Sequence, residues 1–198
     1  MSITTSETQD RADMQRLAAG HGPALNDLMS RHAERLFHYL IRVLRDESEA
    51  EDLAQETFVR VFQHSSKYDP SHKFTTWLYS IATNLARDRL RRLSRHPQVP
   101  LDGGPGHDEG AWEQVIPASD PGPLEQLAGL ERAEAVRRAV AELPEELRVP
   151  LVLAEYEEQS HAEIAAVLGC SSKAVEMRVY RARQFLRKRL GGLVTGLS

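Results

Sequence analysis

Seven basic side chains, Lys173, Arg178, Arg181, Arg183, Arg187, Lys188 and Arg189, surround a helical stripe of Val175, Val179, Ala182, Phe185, Leu186 and Leu190. Guanidinium and ammonium groups in this array break no bonds. They hold phosphates and, at a helix N-terminus set in a major groove, reach base edges. A reading helix needs a second helix to hold it at the right angle, and the residues just upstream supply one. Ser160-His161-Ala162-Glu163 has the capping-box spacing and opens the apolar pattern Ile164, Ala165, Val167, Leu168. Gly169 ends that helix, and Ser171 or Ser172 caps the next. Residues 160–190 therefore read as a helix-turn-helix directed at duplex DNA.

A second cationic array precedes it. The segment from Phe74 to about Leu93 begins aromatic, with Phe74, Trp77 and Tyr79, and ends basic, with Arg87, Arg89, Arg91, Arg92 and Arg95. Aromatic faces beside a cationic stripe suit unpaired bases and their backbone, although Phe74 and above all Trp77 also fit a core. A polar loop, residues 64–73, leads into this helix. Upstream, Asp46 or Ser48 caps a helix whose apolar face is Leu53, Ala54, Phe58, Val61 and Phe62. Its opposite face carries Glu49, Asp52, Gln55 and Glu56 at three- and four-residue steps, which fits either a solvated surface or a dock for a basic helix. Pro23 opens a further amphipathic helix to about Leu44, buried along Leu25, Leu28, Leu36, Leu40, Ile41 and Leu44.

The elements that carry these residues fall into two groups. Between Ser94 and Gly122 the helical period vanishes and Pro97, Pro100, Pro105, Pro117 and Pro121 accumulate around Gly103-Gly104-Pro105-Gly106. The expected fold is all-α: an N-terminal segment with a short helix (1–20), a helical bundle (21–95), a flexible acidic linker (96–123), a helix-turn-helix domain (124–190) and a tail (191–198). The net charge of −4 conceals alternation. Residues 161–190 hold seven Lys/Arg against two acids and residues 73–95 six against one, while residues 46–63 hold six acids against one arginine and residues 101–146 eleven against three. Screening beyond a Debye length of ~8 Å makes the local patch decisive, so alternation implies more than one kind of partner.

Catalysis finds no support. The eight histidines are scattered, His32 and His38 lie on different helix faces, His161 and Glu163 lack metal-ligand spacing, and no glycine-rich phosphate loop is present. No cofactor or metal is expected. Cys170 is the lone cysteine, which excludes an internal disulfide. There is no apolar run near membrane-spanning length and no basic leader with an apolar core, so a soluble cytoplasmic protein without membrane insertion is expected.

Three motifs in order carry a family resemblance: Ala50-Glu51-Asp52-Leu53-Ala54-Gln55-Glu56-Thr57-Phe58, then Phe74-Thr75-Thr76-Trp77-Leu78-Tyr79-Ser80-Ile81-Ala82-Thr83-Asn84, then Val175 followed by Arg178, Arg181, Ala182 and Arg183. The chain resembles a bacterial extracytoplasmic-function (ECF, group IV) sigma factor over about residues 20–95 and 125–190, with region 2 joined directly to region 4. The resemblance implies that Asp52, Leu53, Gln55, Glu56 and Phe58 bind the clamp helices of core RNA polymerase. It implies that Lys67, Tyr68, Lys73, Phe74, Trp77, Asn84, Arg87 and Arg91 open and hold the promoter −10 element, whose flipped base costs a few kcal/mol to extrude.

The resemblance further implies that Ser171, Ser172, Lys173, Glu176, Met177, Arg178, Arg181 and Arg183 serve the duplex −35 element. The linker acids Asp102, Asp108, Glu109, Glu113, Asp120 and Glu125 would enter the polymerase RNA channel, and an anti-sigma factor would mask the polymerase-binding surfaces. Lys173, Glu176 and Met177 depart from the family's usual residues there, so the −35 sequence does not follow; Glu176 accepts from a cytosine amine, faces a neighbouring arginine or points away. The competing reading is a conventional helix-turn-helix regulator acting as a homodimer on a palindrome.

Overall fold

The computed structural model describes residues 2–95 and 123–194, and eight α-helices make up nearly all of them: α1 (Ser2–Ala18), α2 (Ala24–Leu44), α3 (Glu47–Gln63), α4 (Phe74–Arg95), α5 (Pro123–Ala141), α6 (Glu145–Glu155), α7 (His161–Leu168) and α8 (Ser172–Val194). A single 3-10 turn, Ser65–Lys67, interrupts the loop between α3 and α4. The connector from 96 to 122, with its carboxylates from Asp102 to Asp120, lies outside the described residues.

In the N-terminal half, α2 is the central helix. Leu28, Leu36, Tyr39, Leu40 and Val43 recur at three- and four-residue steps and are fully buried, each such side chain contributing roughly 1.5–3 kcal/mol. Leu25 is only partly buried, at the margin of the core. The helix begins with Pro23 as its N-cap residue and ends at Arg45, whose left-handed φ of 64° turns the chain. Asp46, not Ser48, then caps α3, its Oδ1 accepting from the Glu49 N–H at 2.9 Å. Helix α4 extends to Arg95, two residues past the expected end.

Helix α1 corrects the expectation of a separate N-terminal segment. It is 17 residues long, and Met14 and Leu17 enter the common core against α2. Its other inward residues are carboxylates: Asp10 and Asp13 are buried and paired with Arg31 and Arg16.

The C-terminal half is built around α6, whose Val149, Leu151, Val152 and Leu153 are buried against α8. The expected capping box forms at the start of α7: Glu163 N–H donates to Ser160 Oγ at 3.3 Å and Ser160 N–H donates to Glu163 Oε2 at 2.7 Å. Gly169, at φ 63°, closes α7 where a side chain would be strained. Ser171 Oγ accepts from Ala174 N–H at 3.2 Å, so Ser171 is the cap and Ser172 the first residue of α8. The two halves meet: α7 packs on α4, and α5 and α6 pack on α2.

Candidate polymerase and promoter interfaces

The acidic stripe of α3 faces outward. Asp52 and Gln55 are exposed, and Glu56 is held by Arg60 one turn on, at 2.8 Å. Leu53 is half-buried against the core. Phe58 is 3% exposed and belongs to the core, which corrects its assignment to a polymerase contact. The outward face instead continues from the acids into Val59 and Phe62, 46% and 51% exposed. The apolar spacing predicts Phe62 on the inward face of this helix and gives Val59 no place, but the step from Asp52 through Gln55 and Glu56 to Val59 signals the outward position of both. Glu49 does not belong to this free surface, because it forms a bidentate ion pair with Arg89 of α4 and ties the two helices together.

The loop before α4 is built over an aromatic floor. Phe74 is 1% exposed, with its ring 5.2 Å from that of His32, so it supports the loop and cannot stack on a base. Tyr68 and Trp77, both half-buried, pack on each other at 5.4 Å, and the Tyr68 hydroxyl donates to the His72 carbonyl at 2.7 Å. Asp69 turns the loop by accepting from Ser71 N–H at 2.9 Å. Lys67, Lys73 and Asn84 are exposed. Arg91 is exposed beside Asp88, 3.4 Å away. These groups run along one side of α4 from its loop to its basic end.

On α8, Lys173, Glu176, Met177 and Arg181 are exposed, with Ser171 and Ser172 at the helix entrance. Glu176 is bound by Lys173 at 2.9 Å, a self-contained pair on the exposed face of α8. Arg178 is half-buried and lies 3.8 Å from Cys170 Sγ. Arg183 grips Glu155 of α6 with two nitrogens at 2.8 and 2.6 Å, which makes it a pin within the domain. Tyr180, 54% exposed one turn beyond Glu176 and Met177, belongs to this surface and was missed because an isolated tyrosine carries no charge signal.

Several of these groups are engaged across the seam between the halves. Lys73 Nζ lies 2.8 Å from Glu163 Oε1, and Arg87 Nε lies 3.3 Å from Glu145 Oε1. Glu157 is buried between Tyr79, whose hydroxyl donates to it, and Arg35 at 3.5 Å, while the Arg42 guanidinium covers the Tyr156 ring at 4.3 Å. The hydrogen bond to Glu163 raises the Lys73 pKa. Burial raises that of Glu157 against the opposing effects of Tyr79, Arg35 and Arg42.

Two family models match the chain: Sigma-70 region 2 over residues 28–96 and Sigma-70 region 4 over residues 133–186. The chain is 32% identical to the ECF RNA polymerase sigma factor SigW of Bacillus subtilis, over 91% of this chain and 96% of that protein. It is 33% identical to SigM of Mycobacterium tuberculosis, over 96% and 90%. Among solved structures it resembles CnrH in complex with the cytosolic domain of CnrY, with a TM-score of 0.64 and 29% identity across 96% of this chain and 99% of that one. The sigma factor RpoE of Bartonella quintana shares the fold, with a TM-score of 0.62 and 20% identity across 85% and 98%.

The chain belongs to the ECF RNA polymerase sigma factors. It is a promoter-directing subunit of RNA polymerase and not an enzyme, and the conventional homodimeric regulator is not favoured.

Proposed function

We propose that three faces of the molecule divide the work of promoter recognition. Asp52, Gln55 and Glu56, with Val59 and Phe62 beside them, dock on the basic clamp helices of core polymerase; Leu53 and Phe58 support that face from within. Lys67, Tyr68, Lys73, Trp77, Asn84, Arg87 and Arg91 receive the non-template −10 strand over the Phe74 floor. Ser171, Ser172, Lys173, Glu176, Met177, Arg178 and Arg181 meet the −35 duplex, while Arg183 fixes α8 to α6. On this reading α1 joins residues 21–95 in the polymerase and −10 module, and residues 124–190 form the −35 module.

One observation carries the reading: the acid-to-apolar face of α3 and the cationic side of α4 lie on a single packed bundle, tied by Glu49 and Arg89. One rigid unit thus offers polymerase and single strand two separate surfaces of opposite charge. The solved relative CnrH, seen in complex with the cytosolic domain of CnrY, supports a protein partner for this chain too, which on the present reading is an anti-sigma factor. Work beside polymerase supports a cytoplasmic location, and among the described residues no helix is long and apolar enough to cross a membrane.

The test is co-elution with bacterial core polymerase. The wild-type chain is expected to form a stoichiometric complex and the Asp52→Arg/Glu56→Arg double variant to lose it with its helical content unchanged. A double variant that binds like wild type would remove the acidic face from the interface.

A further inference from the structure

We propose that Glu49 is a positioning residue for −10 recognition: its grip on Arg89 holds the cationic end of α4 to the bundle, so that Arg87 and Arg91 meet the strand at a fixed angle. The proposal rests on the assignment of these two arginines to the −10 strand.

Helix α4 is unevenly anchored. From its start it buries Phe74, Leu78, Tyr79, Ala82, Leu85 and Ala86, and the Thr83 hydroxyl pairs with that of Tyr39 at 2.7 Å. From 87 to 95 no residue is buried, and Leu90 reaches only the margin of the core. At 1.5 Å per residue this end runs on for about 13 Å. It also repels itself. Arg87, Arg91 and Arg95 recur at four-residue steps and Arg89 and Arg92 at three, where like charges destabilise a helix. Asp88, 3.4 Å from Arg91, is the one acid in the segment.

The opposing charge comes from other helices. Among the described residues, Arg87 Nε lies 3.3 Å from Glu145 of α6, and Arg89 donates to Glu49 of α3 through both Nε and Nη2. The first pair crosses the seam and exists only while the halves are docked. The second lies within the N-terminal half and survives their separation. Its carboxylate is well placed, because Glu49 sits in the first turn of α3 with its N–H on the Asp46 cap at 2.9 Å.

A planar guanidinium held by two parallel hydrogen bonds takes one orientation. Arg87 and Arg91 stand two residues to either side of Arg89, about 200° of helical rotation away, and four residues from each other. Fixing Arg89 on α3 therefore turns the other two together away from α3. A strand received there meets cations already ordered, which lowers the ordering cost of binding.

The experiment uses the holoenzyme and the full free chain, and the probe is the non-template strand of a promoter mapped with the wild-type holoenzyme. Charge alone gives Glu49→Gln the opposite sign to the proposal, since removing a carboxylate beside a cationic stripe strengthens binding to phosphates. On the proposal Glu49→Gln weakens strand binding and open-complex formation roughly tenfold, the scale of one hydrogen bond to a charged group. The slope of log affinity against log salt falls although no cation has been removed. Amide exchange in the free chain quickens from Arg87 to Leu90 and not in α2. Core affinity stays unchanged, and the melting temperature moves little because the pair is partly exposed. Glu49→Asp, which keeps the charge on a shorter arm, should recover part of the binding.

Unchanged or tighter strand binding by Glu49→Gln, with loss in Arg91→Ala, overturns the proposal and leaves the −10 assignment standing. Unchanged binding in both variants overturns the assignment and the proposal with it. Weaker strand binding at an unchanged salt slope, with core affinity and melting temperature falling in parallel, assigns Glu49 a purely structural part and also overturns it.

Discussion

The Tyr79 hydroxyl donates to Glu157 Oε2 inside the seam between the two halves, 78 residues apart in sequence and both buried. Around this pair the same seam engages Lys73 with Glu163 and Arg87 with Glu145. Carboxylates of the C-terminal half thus occupy cations that the −10 strand is proposed to use. On that proposal the docked arrangement and the strand compete for the same groups.

Tyr79→Phe tests this competition. The substitution keeps the ring packed against Tyr39 and removes the donor from buried Glu157, at a cost of about 1–3 kcal/mol for a charged acceptor left short of a partner. The expected outcome is a larger radius of gyration of the free chain in small-angle scattering and tighter binding of the −10 strand by the free chain. Unchanged scattering with unchanged strand binding would mean that the pair does not hold the halves together.

The same glutamate makes docking depend on pH. Burial raises its pKa above the ordinary carboxylate value of 4.5, with Tyr79, Arg35 and Arg42 opposing the rise. The docked state therefore binds a proton more tightly than the open state. The cost of burying the charged form is full above the raised pKa and falls away as pH drops from there toward 4.5. Docking should tighten as pH falls from neutral into that window. Glu163 has the opposite sign: burial works against it, but Lys73 and Ser160 outweigh burial and lower its pKa, so its contribution is lost only on further acidification, below 4.5. Scattering across this range should show compaction above 4.5 in the wild type and a flat response in Glu157→Gln.

On α3, Phe58 and Phe62 are one turn apart and should behave oppositely. Phe58→Ala empties a core site and should cost about 3–5 kcal/mol of stability, read as a lower melting temperature. Phe62→Ser removes an exposed ring and should leave melting within ~0.5 kcal/mol of wild type. On the proposed interface Phe62→Ser weakens core polymerase binding tenfold or more, the scale of an aromatic contact residue losing roughly 1.4 kcal/mol or above. Equal core affinity would confine the interface to the acids.

What the sequence made legible was local. The Asp46 cap, the Ser160–Glu163 capping box, the stop at Gly169 and the acidic line through Asp52 and Glu56 depend on residues within a turn or two of each other. Phe58 was misplaced because it lies about a third of a turn from that line, close enough in sequence to look like part of it. The full length of α1 and its docking were hidden because much of its inward face is Asp10 and Asp13, which look solvated until Arg31 is brought to them. The docking of the halves was hidden for the same reason, since Glu145, Glu157 and Glu163 find partners 58 to 122 residues away. Arg183 read as a DNA contact because charge pattern alone cannot show that Glu155 holds it.

On the proposed reading, Arg181 and Arg183, two residues apart on α8, separate DNA contact from bracing. Arg181 is exposed, and none of the ion pairs or hydrogen bonds among the described residues engages its side chain with a carboxylate of α6 as Arg183 is engaged by Glu155. Arg181→Ala should weaken binding to −35 duplex and, if the side chain meets a phosphate, reduce the slope of log affinity against log salt by about 1. Arg183→Ala breaks a solvent-exposed pair worth about 0–1 kcal/mol. It should therefore lower the melting temperature slightly and leave the salt slope unchanged. A salt slope reduced by Arg183→Ala and not by Arg181→Ala would reverse the two roles and turn the DNA-facing side of α8 toward Glu155.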